Sequence, residues 1–222
     1  MVDLTQLPPA EMARHLGRPD GEVGLAVAER LHRVNRNIAA EAHRRLGLGS
    51  GMHVMEIGFG NGHLLPDLLR LAPDLLYSGI DIAPTMVDEA RRFNAALVNS
   101  GRAAFHLADA ARIPAADASL DRVLAINVIY FWPDPVVPLR EIRRVLRPAG
   151  VSLITAVTPE TVAGNETFRV EHGYHARDAD TLIELHRRAG FSEVRTELVS
   201  DVASRVDGTP WTRHYNFLLA VP

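Results

Sequence analysis

The stretch HVMEIGFGNGH, residues 53–63, decides the fold. Its first half is a short apolar run of the β type. Gly58, Gly60 and Gly62 follow at two-residue spacing. Glycine tolerates positive φ and lets a ligand approach the backbone, so the run reads as a strand turning tightly into a helix. A helix N-terminus behind such a turn favours a negative group. The dinucleotide fingerprint G-x-G-x-x-G fits imperfectly, because His63 stands where its third glycine belongs.

Outward from this turn the chain alternates between strand and helix patterns. The strand at 53–57 leads to a helix at about 61–71. A strand at 75–80 ends at Asp81, and a helix at 84–99 carries Pro84 in its first turn, where the missing N–H costs nothing. Strands are expected at 102–108 and 122–128, a helix at 134–146, and a strand at 151–157. Residues 158–177 show no period and read as a loop or lid. A helix at 178–189, capped by Asp178 and stopped by Gly190, precedes strands at 191–199 and 214–221.

On the N-terminal side, residues 1–22 are polar and broken by Pro and Gly, an arm with one short helix at 10–16. Val23, Val27, Leu31, Val34, Ile38 and Ala42 recur at three- and four-residue steps, which predicts an amphipathic helix over 23–46. The division is therefore an arm and cap helix over 1–48 and a main domain over 49–222 with a lid at 158–177. Its β-α alternation predicts an α/β, three-layer, doubly wound, mostly parallel sheet with helices on both faces. Such sheets bind ligands beyond the carboxyl ends of their strands, which directs attention to 58–62, 81–82, 109–110 and 127–132.

Composition removes several chemistries. All 24 basic residues are Arg, so lysine Schiff bases and Walker-type phosphate lysines are excluded. The absence of Cys excludes thiolate catalysis and cysteine metal sites. A formal charge of −3 argues against a nucleic-acid partner, which would call for a basic face. No signal-peptide core or membrane-length apolar run is seen, so no membrane partner and a cytoplasmic location are expected.

At the strand ends, Asp81 can accept hydrogen bonds from both hydroxyls of a ribose, or can simply cap the helix that starts at Pro84. Asp109, followed by Ala110, can accept from an exocyclic amine such as that of adenine, or can be a turn aspartate. Asn127 and Val128 would face the centre of the cleft.

Together MEIGFGNGH, GIDIAPTMVDEA, HLADAARIPAADASLDRVLAINVIYFWPDP and LREIRRVLRPAGVSLI resemble the class I S-adenosylmethionine-dependent methyltransferases, in particular the small-molecule branch of ubiquinone and menaquinone biosynthesis. The resemblance spans about residues 50–200. It implies a Rossmann-like sheet of seven strands with the last one antiparallel. It implies S-adenosyl-L-methionine as cofactor and a small-molecule methyl acceptor, with a monomer or homodimer as the assembly. Glu56, Gly58, Gly60 and Gly62 would hold the methionine moiety, Asp81 the ribose, and Ile82 and Met86 the adenine faces. Asp109 and Ala110 would meet the adenine amino edge, and Asn127 and Val128 would line the sulfonium region. The family's Pro-Gly-Gly turn is here Pro148-Ala149-Gly150.

Methyl transfer from a sulfonium is an in-line displacement that requires alignment and exclusion of water, with a base only where the acceptor must lose a proton. The acceptor site is expected from the variable parts: Asn35 on the cap helix, Tyr130 and Trp132 after the fourth strand, and Tyr174 in the lid. His172, His175 and His214 are the candidate bases. No metal site is expected, because the His172–His175 pair has no evident third ligand. A competing reading is a methyltransferase-like binding protein that has lost catalysis. A nicotinamide-dependent oxidoreductase is disfavoured by His63 and by the lack of a Tyr-x-x-x-Lys pair.

Overall fold

A computed structural model of the protein describes residues 2–205 and 207–222. Its elements in order are α1 (Pro9–Gly17), α2 (Gly21–Arg45), β1 (His53–Ile57), α3 (Leu65–Leu69), β2 (Leu76–Asp81), α4 (Pro84–Phe93) and α5 (Ala95–Asn99). Next come β3 (Ala103–Leu107), β4 (Leu120–Ile126), α6 (Val136–Val145), β5 (Leu146–Val157), α7 (Pro159–Val162), α8 (Ala179–Arg188), β6 (Glu193–Ser204) and β7 (Pro210–Val221).

The seven strands form one sheet in the order β3-β2-β1-β4-β5-β7-β6. Strands β1 to β5 pair in parallel, and β7 runs antiparallel between β5 and β6. The expected antiparallel last strand is therefore present. The order reverses between β1 and β4, which places the ligand crevice at their carboxyl ends. The central strands read as near-continuous apolar runs because helices cover both faces: Val123, Leu124 and Ala125 of β4 are fully buried.

Helix α2 divides its length between two tasks. Its C-terminal half buries Ile38, Ala39 and Ala42 completely. Ile38, Ala42 and Leu46 belong to the same buried cluster as the sheet, so the segment 1–48 shares the main core. Its N-terminal half overhangs the carboxyl ends of the strands with Leu31, His32, Val34 and Asn35.

Several elements differ from the sequence pattern, among them β5, which starts at Leu146 and takes in Pro148–Gly150. The helix expected over 61–71 is the single turn α3, because residues 58–64 stay in the glycine turn. The helix expected over 84–99 breaks at Asn94, whose side-chain amide donates to the Ala90 carbonyl (3.0 Å) and to the Gly62 carbonyl (3.1 Å). Such side-chain bonding competes with the helix backbone. The β6–β7 hairpin is longer than the expected 191–199 and 214–221. Its pairing with β5 ends at Val157–Tyr215, while β6 and β7 continue together to Ser204–Pro210. The hairpin tip thus projects past the sheet. Among the described residues no helix is long and apolar enough to cross a membrane.

Candidate functional site

Backbone geometry builds the floor of the site. Gly58 and Gly62 hold φ of +69° and +70°, a region that disfavours side chains. A Cβ on Gly58 would lie 2.6 Å from Val128 Cγ2, and one on Gly62 would lie 2.7 Å from the Ala90 Cβ. The first contact sets the turn against the loop after β4, and the second sets it against α4. The Gly58 amide donates to the Ile80 carbonyl at 2.8 Å, which ties the turn to the end of β2.

Asp81 closes this arrangement. Its two carboxylate oxygens accept from the Gly60 amide (3.1 Å) and the Ala83 amide (2.9 Å). Burial pushes its carboxyl up to about 6, against the lowering effect of those backbone bonds. Glu56, the last inward residue before the turn, accepts from the Tyr77 hydroxyl at 2.7 Å. Burial raises Glu56 to about 7, with the nearby Asp81 adding in the same direction. Among the described residues neither carboxylate has an ion-pair partner, although both line the cavity described below.

The cavity has a volume of about 1010 Å³. One wall comprises Glu56, Gly58, Gly60, Asp81, Ile82, Asp109, Ala110, Asn127 and Val128. Ile82 is 42% exposed, an apolar side chain held open toward this space. Asp109 accepts from the Ala111 amide with one oxygen (2.8 Å), and among the described residues no protein group donates to the other. Asn127 sits at φ +58°, with its amide donating to Thr155 Oγ1 at 3.2 Å.

The opposite wall is aromatic. Tyr130 stacks on Tyr174 at 4.2 Å between ring centroids, and Phe131 meets Tyr174 edge-on at 5.5 Å. Trp132, Phe168 and Trp211 extend the surface, and Asn35 supplies a polar edge. Leu4, Leu7, Met12 and Leu16 from the N-terminal arm also face the cavity.

Several expected site residues lie elsewhere. Met86 is fully buried in the core beneath α4 and does not line the cavity. Gly62 shapes the turn by packing on α4, without reaching the cavity wall. None of the three candidate bases lines it. His172 places Nδ1 2.9 Å from the Glu166 carbonyl, on the outer side of the lid segment. His175 contributes its backbone amide to the Tyr130 carbonyl at 2.8 Å. His214 pairs with Ser200 Oγ at 2.7 Å, because strand alternation turns Arg213 and Tyr215 inward and His214 away. Among the described residues His32 is the histidine lining the cavity. Its Nδ1 is buried without a hydrogen-bond partner, and burial lowers its pKa.

The sequence reading missed the hairpin tip. Arg213 is 4% exposed and holds Asp201, its cross-strand partner, through two bonds of 2.9 and 2.6 Å. The signal was the alternation Trp211, Arg213, Tyr215, which marks one strand face. Among the described residues no group of three His, Asp or Glu side chains could hold a metal ion.

The floor suits a ligand that brings hydrogen-bond donors and positive charge. Two buried carboxylates face it without a cation, and a Cβ on Gly60 would enter open space. Residues 55–154 match the family described as Methyltransferase domain. An O-methyltransferase of Pyrenophora dematioidea is 30% identical over 171 residues, 73% of this chain and 62% of that protein. The chain spans about three fifths of the length of three curated fungal relatives it matches and less of several others. A chain of the Haloferax volcanii complex between the Trm112 methyltransferase activator and a methyltransferase superposes with a TM-score of 0.73 at 20% identity, over 92% of this chain and 96% of that one. Phosphoethanolamine N-methyltransferase 2 of Haemonchus contortus, solved with phosphomonomethylethanolamine and S-adenosylhomocysteine, gives 0.72 at 18% identity, over 95% of this chain and 60% of that one. Both structures share the fold.

Proposed function

We propose, from the match of residues 55–154 to the methyltransferase-domain family, that this chain is an S-adenosylmethionine-dependent methyltransferase acting on an oxygen of a small organic acceptor. The observation that carries the reading is Asp81: a buried carboxylate without a cation, fixed by the glycine turn, on the wall of a cavity whose far side is aromatic. Oxygen is chosen as the acceptor atom because the P. dematioidea relative is an O-methyltransferase.

Each group has a task in this reading. Asp81 accepts from the two ribose hydroxyls while its backbone bonds keep it aimed, a carboxylate having room for about four hydrogen bonds. Ile82 offers an apolar face to the adenine, and the free oxygen of Asp109, beside Ala110, meets the exocyclic amine. Glu56 and the turn at Gly58 and Gly60 hold the amino-acid end, with Asn127 and Val128 beside it. Bound S-adenosylmethionine supplies a methyl group activated by the positive charge on sulfur. The rings of Tyr130 and Tyr174 exclude water and present negative faces that favour a cation. Burial lowers the pKa of His32, which favours its neutral ring at the cavity wall.

Isothermal titration with S-adenosylmethionine and S-adenosylhomocysteine tests this, with NADH as control. Binding of the adenosyl pair alone is expected. A folded protein that binds neither overturns the proposal. Tight cofactor binding without turnover of any hydroxylated acceptor would establish a silent binding protein instead.

A further inference from the structure

The far wall contains one polar group whose orientation is forced. Arg213 Nη1 donates to Asn35 Oδ1 at 2.8 Å, and Nη2 donates to the Val34 carbonyl at 2.6 Å. A guanidinium only donates hydrogen bonds, so Asn35 must present its carbonyl oxygen to Arg213. The amide nitrogen is thereby turned the other way. Among the described residues that nitrogen has no protein acceptor, and Asn35 lines the cavity. Arg213 cannot swing aside, because Asp201 grips it from the neighbouring strand in a buried pair.

The surroundings restrict what Asn35 could address. The Phe168–Trp211 pair, at 21° between planes, offers flat faces backed by the buried Tyr130–Tyr174 stack. Flat ligands stack on such faces. Arg213 is paired with Asp201, and Arg30 and Arg205 also line the cavity, so an electron-rich oxygen is favoured here.

We propose that Asn35 is a specificity-determining residue: held by Arg213, it donates a hydrogen bond to an oxygen, carbonyl or phenolic, of a planar aromatic acceptor. The inference rests on the methyl-transfer reading for the assignment of this wall to the acceptor. It makes Asn35 a selector of acceptors with an oxygen placed to meet it, while the floor of the cavity handles the cofactor alone.

The test compares 1,4-naphthoquinone, a planar probe with carbonyl acceptors and no donors, with naphthalene, the same outline without oxygen. The chain has no Cys and no Lys, so covalent capture of the quinone by those side chains is avoided. Both Trp residues line the cavity, so quenching of their fluorescence reports where the probe sits. Asn35→Asp keeps the shape and the bond to Arg213 but presents an acceptor to the ligand. It is expected to raise the naphthoquinone Kd at least about tenfold, with naphthalene and S-adenosylhomocysteine each within about twofold of wild type. Asn35→Ala, which adds no charge, should weaken naphthoquinone about fivefold. Equal effects on the two aromatic probes, or none on naphthoquinone in both variants, overturn the inference. Failure of S-adenosylhomocysteine to bind wild type would instead overturn the methyl-transfer reading, so the two failures are distinguishable.

Discussion

The two walls of the cavity are made in different ways. The floor comes from four consecutive strand ends, each within a few residues of its neighbour in the sheet register: Glu56, Asp81, Asp109 and Asn127. Its geometry is backbone geometry, set by glycine turns and main-chain hydrogen bonds. The far wall is collected from the N-terminal arm, α2, the turn after β4, the 158–177 segment and the tip of the β6–β7 hairpin. No secondary-structure ladder unites these pieces. Side-chain contacts and isolated backbone bonds do, and the buried Arg213 cluster, beside Arg30 on the Ser204 carbonyl and Arg45 on Glu197, reaches from the hairpin to α2. A floor fixed by the backbone suits an unvarying ligand, and a wall assembled from side chains suits one that changes between relatives.

The strongest way to break this contrast is to remove the tie. Arg213→Ala leaves the Asp201 carboxylate buried without its partner, and breaking a buried pair from one side costs about 3–5 kcal/mol. Urea unfolding should show a loss on that scale. The floor depends on separate strand ends, so the folded fraction of the variant should still bind S-adenosylhomocysteine. If cofactor affinity falls in step with stability, the two walls are one cooperative unit and the contrast fails.

The same division explains what the sequence disclosed. The floor was legible because its signals are local: glycines after an apolar run, then an acidic residue at each of the next two strand ends and an amide at the third. Asp81 and Asp109 stand where that reasoning put them. Met86 lies off the cavity because helical phase, which motif spacing does not encode, turns it into the core. The far wall was legible only in part. Tyr130, Trp132, Tyr174 and Asn35 do meet at the cavity. Arg213 meets Asn35 across 178 positions, a pairing that no local pattern announces. The histidines of the 158–177 segment drew attention by residue type alone, and residue type does not say which side of a loop faces a ligand.

A smaller effect sharpens the contrast from the floor side. Asp81→Asn removes a charged acceptor, and such bonds contribute about 2 kcal/mol, so the S-adenosylhomocysteine Kd should rise about 30-fold. The pH dependences should have opposite signs. The folded-state pKa of Asp81 is raised from 3.8 to about 6 by burial. Between those values the unfolded chain ionises while the folded one does not. The stability of wild type relative to Asp81→Asn should therefore fall as pH rises from about 4 to about 6, then level off. Glu56 has the same sign, from 4.5 to about 7, and is present in both proteins. Cofactor affinity should rise through the same interval, because the ionised carboxylate accepts both hydroxyls. Urea midpoints and titrations at pH 5 and pH 7 check both slopes. Parallel slopes would mean that Asp81 binds in its neutral form.

The smallest effect concerns His172, His175 and His214. Each ring sits off the cavity for a stated reason: Glu166 holds the first outward, the second is engaged through its backbone, and strand alternation turns the third toward Ser200. Single Ala substitutions should each change the methylation rate and the S-adenosylhomocysteine Kd by less than about twofold, the usual range for half-buried positions away from a site. Measuring both matters, since a change in Kd alone would implicate the floor, which none of these side chains touches. A tenfold fall in kcat with an unchanged Kd for any one of them would have a definite meaning. It would require the far wall to rearrange around the acceptor and carry that ring inward, which side-chain contacts permit and a strand-end floor does not. The contrast would then lie between a fixed wall and a moving one, with the Arg213 tie as the point about which the motion is resisted.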